Sequence, residues 1–124
     1  NLDDTVERGY AGLSMWEWTA KEIPTERIHH YGELCASVGL NGAVLNNVNA
    51  NPLILDKEHI ERVAQIANIL REYGITTYLS IKWTSPVTLD GLKSGDPLDP
   101  KVRQWWKNKA AEIYTAIPIS AAFS

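Results

Sequence analysis

Apolar positions along the chain switch between two spacings. Ile28, Tyr31, Leu34, Cys35 and Val38 recur three and four residues apart, the pattern of a helix with one face on a core, and Gly39 supplies a left-handed stop. The same spacing returns at Ile60, Val63, Ala64, Ala67 and Leu70, in a helix opened by Asp56 as N-cap, running to about Tyr73 and stopped by Gly74. A third helix starts at Asp99-Pro100, an acidic cap followed by proline in the first turn. It carries Val102, Trp105, Trp106, Ala110, Ile113, Tyr114 and Ile117. Between and before these helices lie runs of another kind, residues 12–18, 42–48 and 76–83. The middle run is continuously apolar until its final amides, as in strands buried on both faces. The last is rich in β-branched and aromatic residues.

Strand followed by helix, three times, predicts an α/β fold with a parallel sheet. The units share no clear self-similarity, so a solenoid is not read from them. Right-handed crossovers gather the βα loops at one edge, and ligands bind at that edge in both barrels and open sheets. The polar and aromatic residues fall there: Trp16, Glu17 and Trp18; Asn46, Asn47, Asn49 and Asn51; Lys82, Trp83 and Ser85. The opposite edge, residues 39–41 and 74–76, is short. Residues 84–98 read as a long connection.

The amide run after Leu45 supports two readings. Asn tolerates left-handed backbone and forms Asx-turns, and Asn51-Pro52 is a turn signal. Four Asn at a strand's end also make a set of donors and acceptors suited to a polyhydroxylated ligand. Trp16 and Trp18 divide evenly between sugar-stacking faces and packing. Trp105 and Trp106, mid-helix, read as packing. Hydrolysis of a glycosidic bond needs two carboxylates. Glu17 is the one acid at a strand's end; Asp3, Asp4 and Glu7 precede the first strand, and Glu26, Glu33, Glu58, Glu61, Glu72 and Glu112 read as solvated helix faces.

Composition narrows the field. The 124 residues suffice for one domain, and a net charge of −3 leaves no footprint for nucleic acid or anionic membrane. No apolar run reaches membrane-spanning length, and no signal peptide opens the chain, whose start at Asn1 points to a piece of something longer. Cys35 is the only cysteine, so no internal disulfide forms; on an apolar helix face it reads as a structural thiol. There is no G-x-G-x-x-G and no phosphate loop. His29 and His30 are adjacent and point apart, and His59 lies in a first turn. All three read as solvent-facing, and metal binding is not expected.

The motifs carry a resemblance. Asn1-Leu2-Asp3, Glu7-Arg8-Gly9-Tyr10-Ala11-Gly12 and Asn41-Gly42-Ala43-Val44-Leu45-Asn46-Asn47-Val48-Asn49-Ala50-Asn51-Pro52 resemble the xylan-degrading α-glucuronidases, glycoside hydrolase family sixty-seven. Tyr78-Leu79-Ser80, Ser85-Pro86, Asp96-Pro97-Leu98-Asp99-Pro100 with Val102, Trp105-Trp106-Lys107 and Ile113-Tyr114 continue the likeness, in order, over nearly the whole chain. It implies that residues 1–124 are the first three βα units of a (β/α)8 TIM barrel. It implies inverting hydrolysis of the α-1,2 bond between 4-O-methyl-glucuronic acid and the terminal xylose of xylo-oligosaccharides, without a cofactor. The family's catalytic acid and bases lie beyond Ser124, so none is carried over, and the fragment is expected to be inactive alone. What carries over is pocket wall: Val48 with Asn46, Asn47 and Asn49, joined by Trp16 and Glu17. The resemblance also implies secretion, as in fungal members, with a cytoplasmic place in bacteria, and a homodimeric parent in some relatives. A non-catalytic carbohydrate-binding protein and another (β/α)8 glycosidase are the competing readings.

Two departures stand out. Asp4 replaces a glycine of the Asn-Leu-Asp-Gly pattern. Residues 119–124 replace a strand start close to Asp-Phe-Gly-Gly-Phe, and reading such codons one base late yields Ile-Ser-Ala-Ala-Phe-Ser. The tail is therefore expected to be out of frame.

Overall fold

The computed structural model describes residues 14–47, 51–117 and the backbone of a strand at 121–123. In chain order the elements are α1 (Thr25–Ser37), β1 (Gly42–Val44), a 3-10 turn (Pro52–Leu55), α2 (Lys57–Arg71), β2 (Thr76–Leu79), α3 (Ser85–Asp90), α4 (Pro100–Ala116) and β3 (Ala121–Phe123). The three strands form one parallel sheet in the order β1-β2-β3. Val44 pairs with Tyr78, and Leu79 with Phe123.

Local chemistry sets the helix ends. Asp56 caps α2 by accepting from the His59 backbone N–H at 2.8 Å, and Asp99 caps α4 by accepting from Lys101 at 2.9 Å. Gly39 and Gly74 adopt φ +81° and +72°, a region that favours glycine. The helices cover one face of the sheet. Ala43 and Leu45 from the β1 side and Thr77 and Leu79 from β2 are buried among Ile28 and Cys35 of α1, Ile60, Val63, Ile66, Ala67 and Leu70 of α2, and Ile113 of α4. The other face is barely covered: Val44 is 56% exposed, beside the half-buried Tyr78 ring. A Cβ on Gly42 would come within 3.0 Å of that ring.

Three expectations change. Residues 14–18 are turns, not a strand; residues 12 and 13 lie outside the described part. The backbone there is satisfied locally: Trp16 N–H donates to Ser14 Oγ at 3.2 Å, Glu17 N–H to the Ser14 carbonyl and Ala20 N–H to the Glu17 carbonyl, with Glu17 at φ +49°. The third strand is β3. The two correctly placed strands are shorter than expected, ending at Val44 and Leu79, although Leu45 N–H still donates to the Tyr78 carbonyl.

Second, the buried stripe of α1 is Ile28, Gly32 and Cys35, while Leu34 and Val38 are exposed. Gly32 is covered by the Tyr73 ring, and a Cβ there would sit 2.5 Å from Cδ2. Third, His30 is solvent-facing but His29 and His59 are not. His29 Nδ1 lies 2.8 Å from the Tyr73 hydroxyl. His59 Nδ1 donates to Asp56 Oδ1 at 2.7 Å, with the side chain 15% exposed. The long connection also contains α3, begun by Ser85-Pro86 and ended by Gly91 at φ +66°.

Asp56 thus serves two donors of one residue. Asp56→Ala is expected to destabilise the folded protein by about 1–2 kcal/mol, and Asp56→Asn by less, since its carbonyl keeps an acceptor for the cap. Thermal melts of the two variants check this.

Candidate functional site

The parallel sheet delivers residues 45–47 and 80–83 to one edge. Asn46 is buried there at 6% exposure. Its Oδ1 accepts from Ser80 N–H at 2.8 Å, and its Nδ2 donates to the Ser80 carbonyl at 2.9 Å. The carboxamide thus takes the place of a peptide group, adding a two-bond rung where regular pairing stops. Burial makes the rung matter, because an unpaired peptide group costs about 1–3 kcal/mol there. Asn47 is exposed. Val48 and Asn49 lie outside the described residues. Asn51 takes the turn role: its Oδ1 accepts from Leu53 N–H at 3.0 Å and opens the 3-10 turn, which buries Pro52, Ile54 and Leu55. The amide run therefore divides among an inward clamp, an outward residue and a turn.

The structure places the Trp16 ring in the core, edge-on to Tyr31 at 5.5 Å between centroids. Trp18 is 2% exposed and tilted against His59 at 6.1 Å. Both rings pack. The Glu17 carboxylate pairs with Arg27 at 3.3 Å. Both partners are well exposed, so the pair contributes at most about 1 kcal/mol. Burial above all, then the hydrogen bond and electrostatic influence of the neighbouring Cys35, pushes the Tyr31 phenol above its ordinary pKa.

An apolar cleft of about 270 Å³ adjoins the same edge, lined by Ile81, Trp83, Trp106, Ala110 and Ile113. Trp83, 63% exposed, meets Trp106 edge-on at 6.2 Å. Lys109 Nζ donates to the Leu55 carbonyl at 3.0 Å and to Glu112 at 2.9 Å, tying α4 to the turn after the amide run. The sequence gives no sign of the roles of Ser80 and Lys109, because Ser80 pairs through its backbone and Lys109 reaches the Leu55 carbonyl, partners that only the fold brings near. A polar hollow of about 400 Å³, lined in part by Lys21, Glu22, Glu58, Glu61 and Arg62, lies between the segment before α1 and the start of α2. Among the described residues no three His, Cys, Asp or Glu side chains gather to hold a metal, and no helix is long and apolar enough to cross a membrane.

A parallel α/β fold with a buried asparagine clamp where its strands end is the class these observations define. The chain belongs to glycoside hydrolase family sixty-seven: the profile of the "Glycosyl hydrolase family 67 middle domain" matches residues 1–124. It is 42% identical over 124 residues to the "Probable alpha-glucuronidase A" of Aspergillus terreus. It is 42% identical over 129 residues to the "Alpha-glucuronidase A" of Emericella nidulans, and 39% over 127 residues to that of Aspergillus tubingensis. Each comparison covers 99% of this chain and 15% of the relative.

Proposed function

We propose that this chain is a segment of an α-glucuronidase that cleaves the α-1,2 bond of (4-O-methyl)glucuronic acid on xylo-oligosaccharides with inversion, in xylan breakdown. The observation that carries this reading is the match across the whole chain to family members named alpha-glucuronidase. The segment is the opening of a (β/α)8 barrel. All-parallel sheets are covered on both faces, and the bare Val44 side of this one fits a barrel interior completed by further strands.

Inversion requires a general acid on the leaving oxygen and a carboxylate base about 6.5–9.5 Å away to activate water. Glu17, held by Arg27, has no carboxylate partner in the reading and takes neither role. Both groups come from the remainder of the protein. This segment supplies pocket wall, with Asn47, Val48 and Asn49 as the residues proposed to serve the sugar acid. The glucuronoxylan oligosaccharide is the partner, a homodimer is the parent's assembly and secretion its destination.

Residues 119–124 are proposed to be out of frame. Main-chain pairing needs only extended backbone, so β3 is compatible with either frame. The nucleotide sequence checks this, and the idea fails if no one-base shift restores a Gly-Gly-Phe strand.

The test is the full-length protein on aldouronic acids, followed by proton NMR. Initial release of the β-anomer is expected; release of the α-anomer, or none, contradicts the reading, and binding without turnover favours a non-catalytic module. Asn47→Ala is expected to lower kcat/KM about tenfold, the value of one hydrogen bond to a sugar hydroxyl. Unchanged kinetics removes Asn47 from the pocket.

A further inference from the structure

We infer that Asn46 does not bind substrate but is a positioning residue, whose carboxamide locks the tip of β1 to the tip of β2 and so sets where Asn47 stands. The inference rests on the glucuronidase reading for what is positioned; the clamp itself rests on geometry. Both functional ends of the amide are engaged by one residue's backbone, Ser80 N–H at 2.8 Å and Ser80 C=O at 2.9 Å. Asn46 is 6% exposed and Ser80 8%, so the pair is shielded from water and from a ligand in the loops. Regular pairing ends at Val44–Tyr78, followed by a bond from Leu45 N–H to the Tyr78 carbonyl. Beyond that point the amide rung ties the two strand ends together. The next residue outward, Asn47, is already exposed.

The arrangement has a chemical signature. It needs one acceptor, facing Ser80 N–H, and one donor, facing Ser80 C=O. A protonated carboxyl offers both; a carboxylate offers only acceptors and sets a charge against the Ser80 carbonyl. Asn46→Asp therefore makes the clamp titratable. Burial and the facing carbonyl raise the introduced group's folded pKa above the ordinary value of about 3.9. A raised carboxyl pKa favours the neutral form in the folded state. The clamp is then intact at low pH and lost as pH rises through that folded pKa. Lys82, exposed two residues beyond Ser80, is the charged side chain nearest in sequence on this strand tip.

The experiment compares Asn46→Asp with wild type in the full-length protein between pH 4.5 and about 8, the interval in which a raised carboxyl pKa lies. Two ratios are read at each pH: the melting midpoint without substrate, and kcat/KM on an aldouronic acid. The expected result is that both deficits grow as pH rises and level off above the same folded pKa, the kcat/KM ratio falling at least about tenfold across the range. Asn46→Leu, which cannot titrate, keeps a constant deficit. Kinetic loss without a melting shift makes Asn46 a direct ligand and overturns the inference. A melting shift with constant kinetics makes the rung merely structural and also overturns it, as do two flat profiles. Should Asn46→Asp not accumulate, Asn46→Ser is expected to lower kcat/KM about tenfold, and wild-type kinetics in it contradicts the role. An inactive wild type is a separate failure: it removes the glucuronidase reading and the positioning role with it, while the melting arm still shows whether the clamp exists.

Discussion

Expressed by itself, the 124-residue chain releases no glucuronic acid from aldouronic acids and does not melt cooperatively as a soluble monomer. On the proposed reading the loss of turnover is complete, because inversion needs two carboxylates and that reading assigns both to the rest of the protein. The loss of cooperativity follows from the sheet. Among the described residues β1 and β3 are the edges of the sheet, and no second layer covers the Val44 face. Val44, Trp83, Leu40 and Leu98 are all more than half exposed. Each large apolar side chain left in water forgoes roughly 1.5–3 kcal/mol, and a few such losses match the roughly 5–15 kcal/mol that stabilises a typical domain. Size-exclusion chromatography and a thermal melt check this. A sharp, reversible transition of a monomer contradicts the barrel reading; turnover by this chain contradicts the placement of the catalytic groups.

Within the full-length protein, Leu70→Ala is expected to destabilise by roughly 2–5 kcal/mol, whereas Leu34→Ala stays within about 0.5 kcal/mol of wild type. Both leucines sit on helices at apolar-stripe positions. Leu70 is fully buried in the cluster that joins α2 to Ala43, Leu45 and Leu79. Leu34 is 63% exposed. Denaturant melts of the two variants measure the contrast directly. Equal losses would place the α1 face elsewhere than the structure does.

That contrast also shows what the sequence could and could not carry. The three long helices were legible because their ends are written in local chemistry: Asp56 and Asp99 cap, Gly39 and Gly74 stop. Two strands were legible from their apolar and β-branched runs. Which residues of α1 are buried was not legible, because Gly32 adds nothing to an apolar count yet makes the closest packing, against Tyr73. The turn at residues 14–18 was missed for a related reason. Trp16 and Trp18 have strand-like spacing, but Ser14 and Glu17 satisfy the backbone through short-range bonds that spacing does not reveal. At the candidate site the amide run was visible, and its division was not. Asn46 is set apart from Asn47 and Asn51 only by the position of Ser80, thirty-four residues away along the chain.

A crystal structure of the full-length protein with glucuronic acid bound tests the central claim most directly. The account predicts the sugar acid against the loop that begins at Asn47, at the strand-end edge, with Asn46 still bridged to Ser80 and with Val44 and Tyr78 facing a closed barrel interior. A sugar bound at another edge, or Val44 still open to solvent in the complete protein, would contradict it.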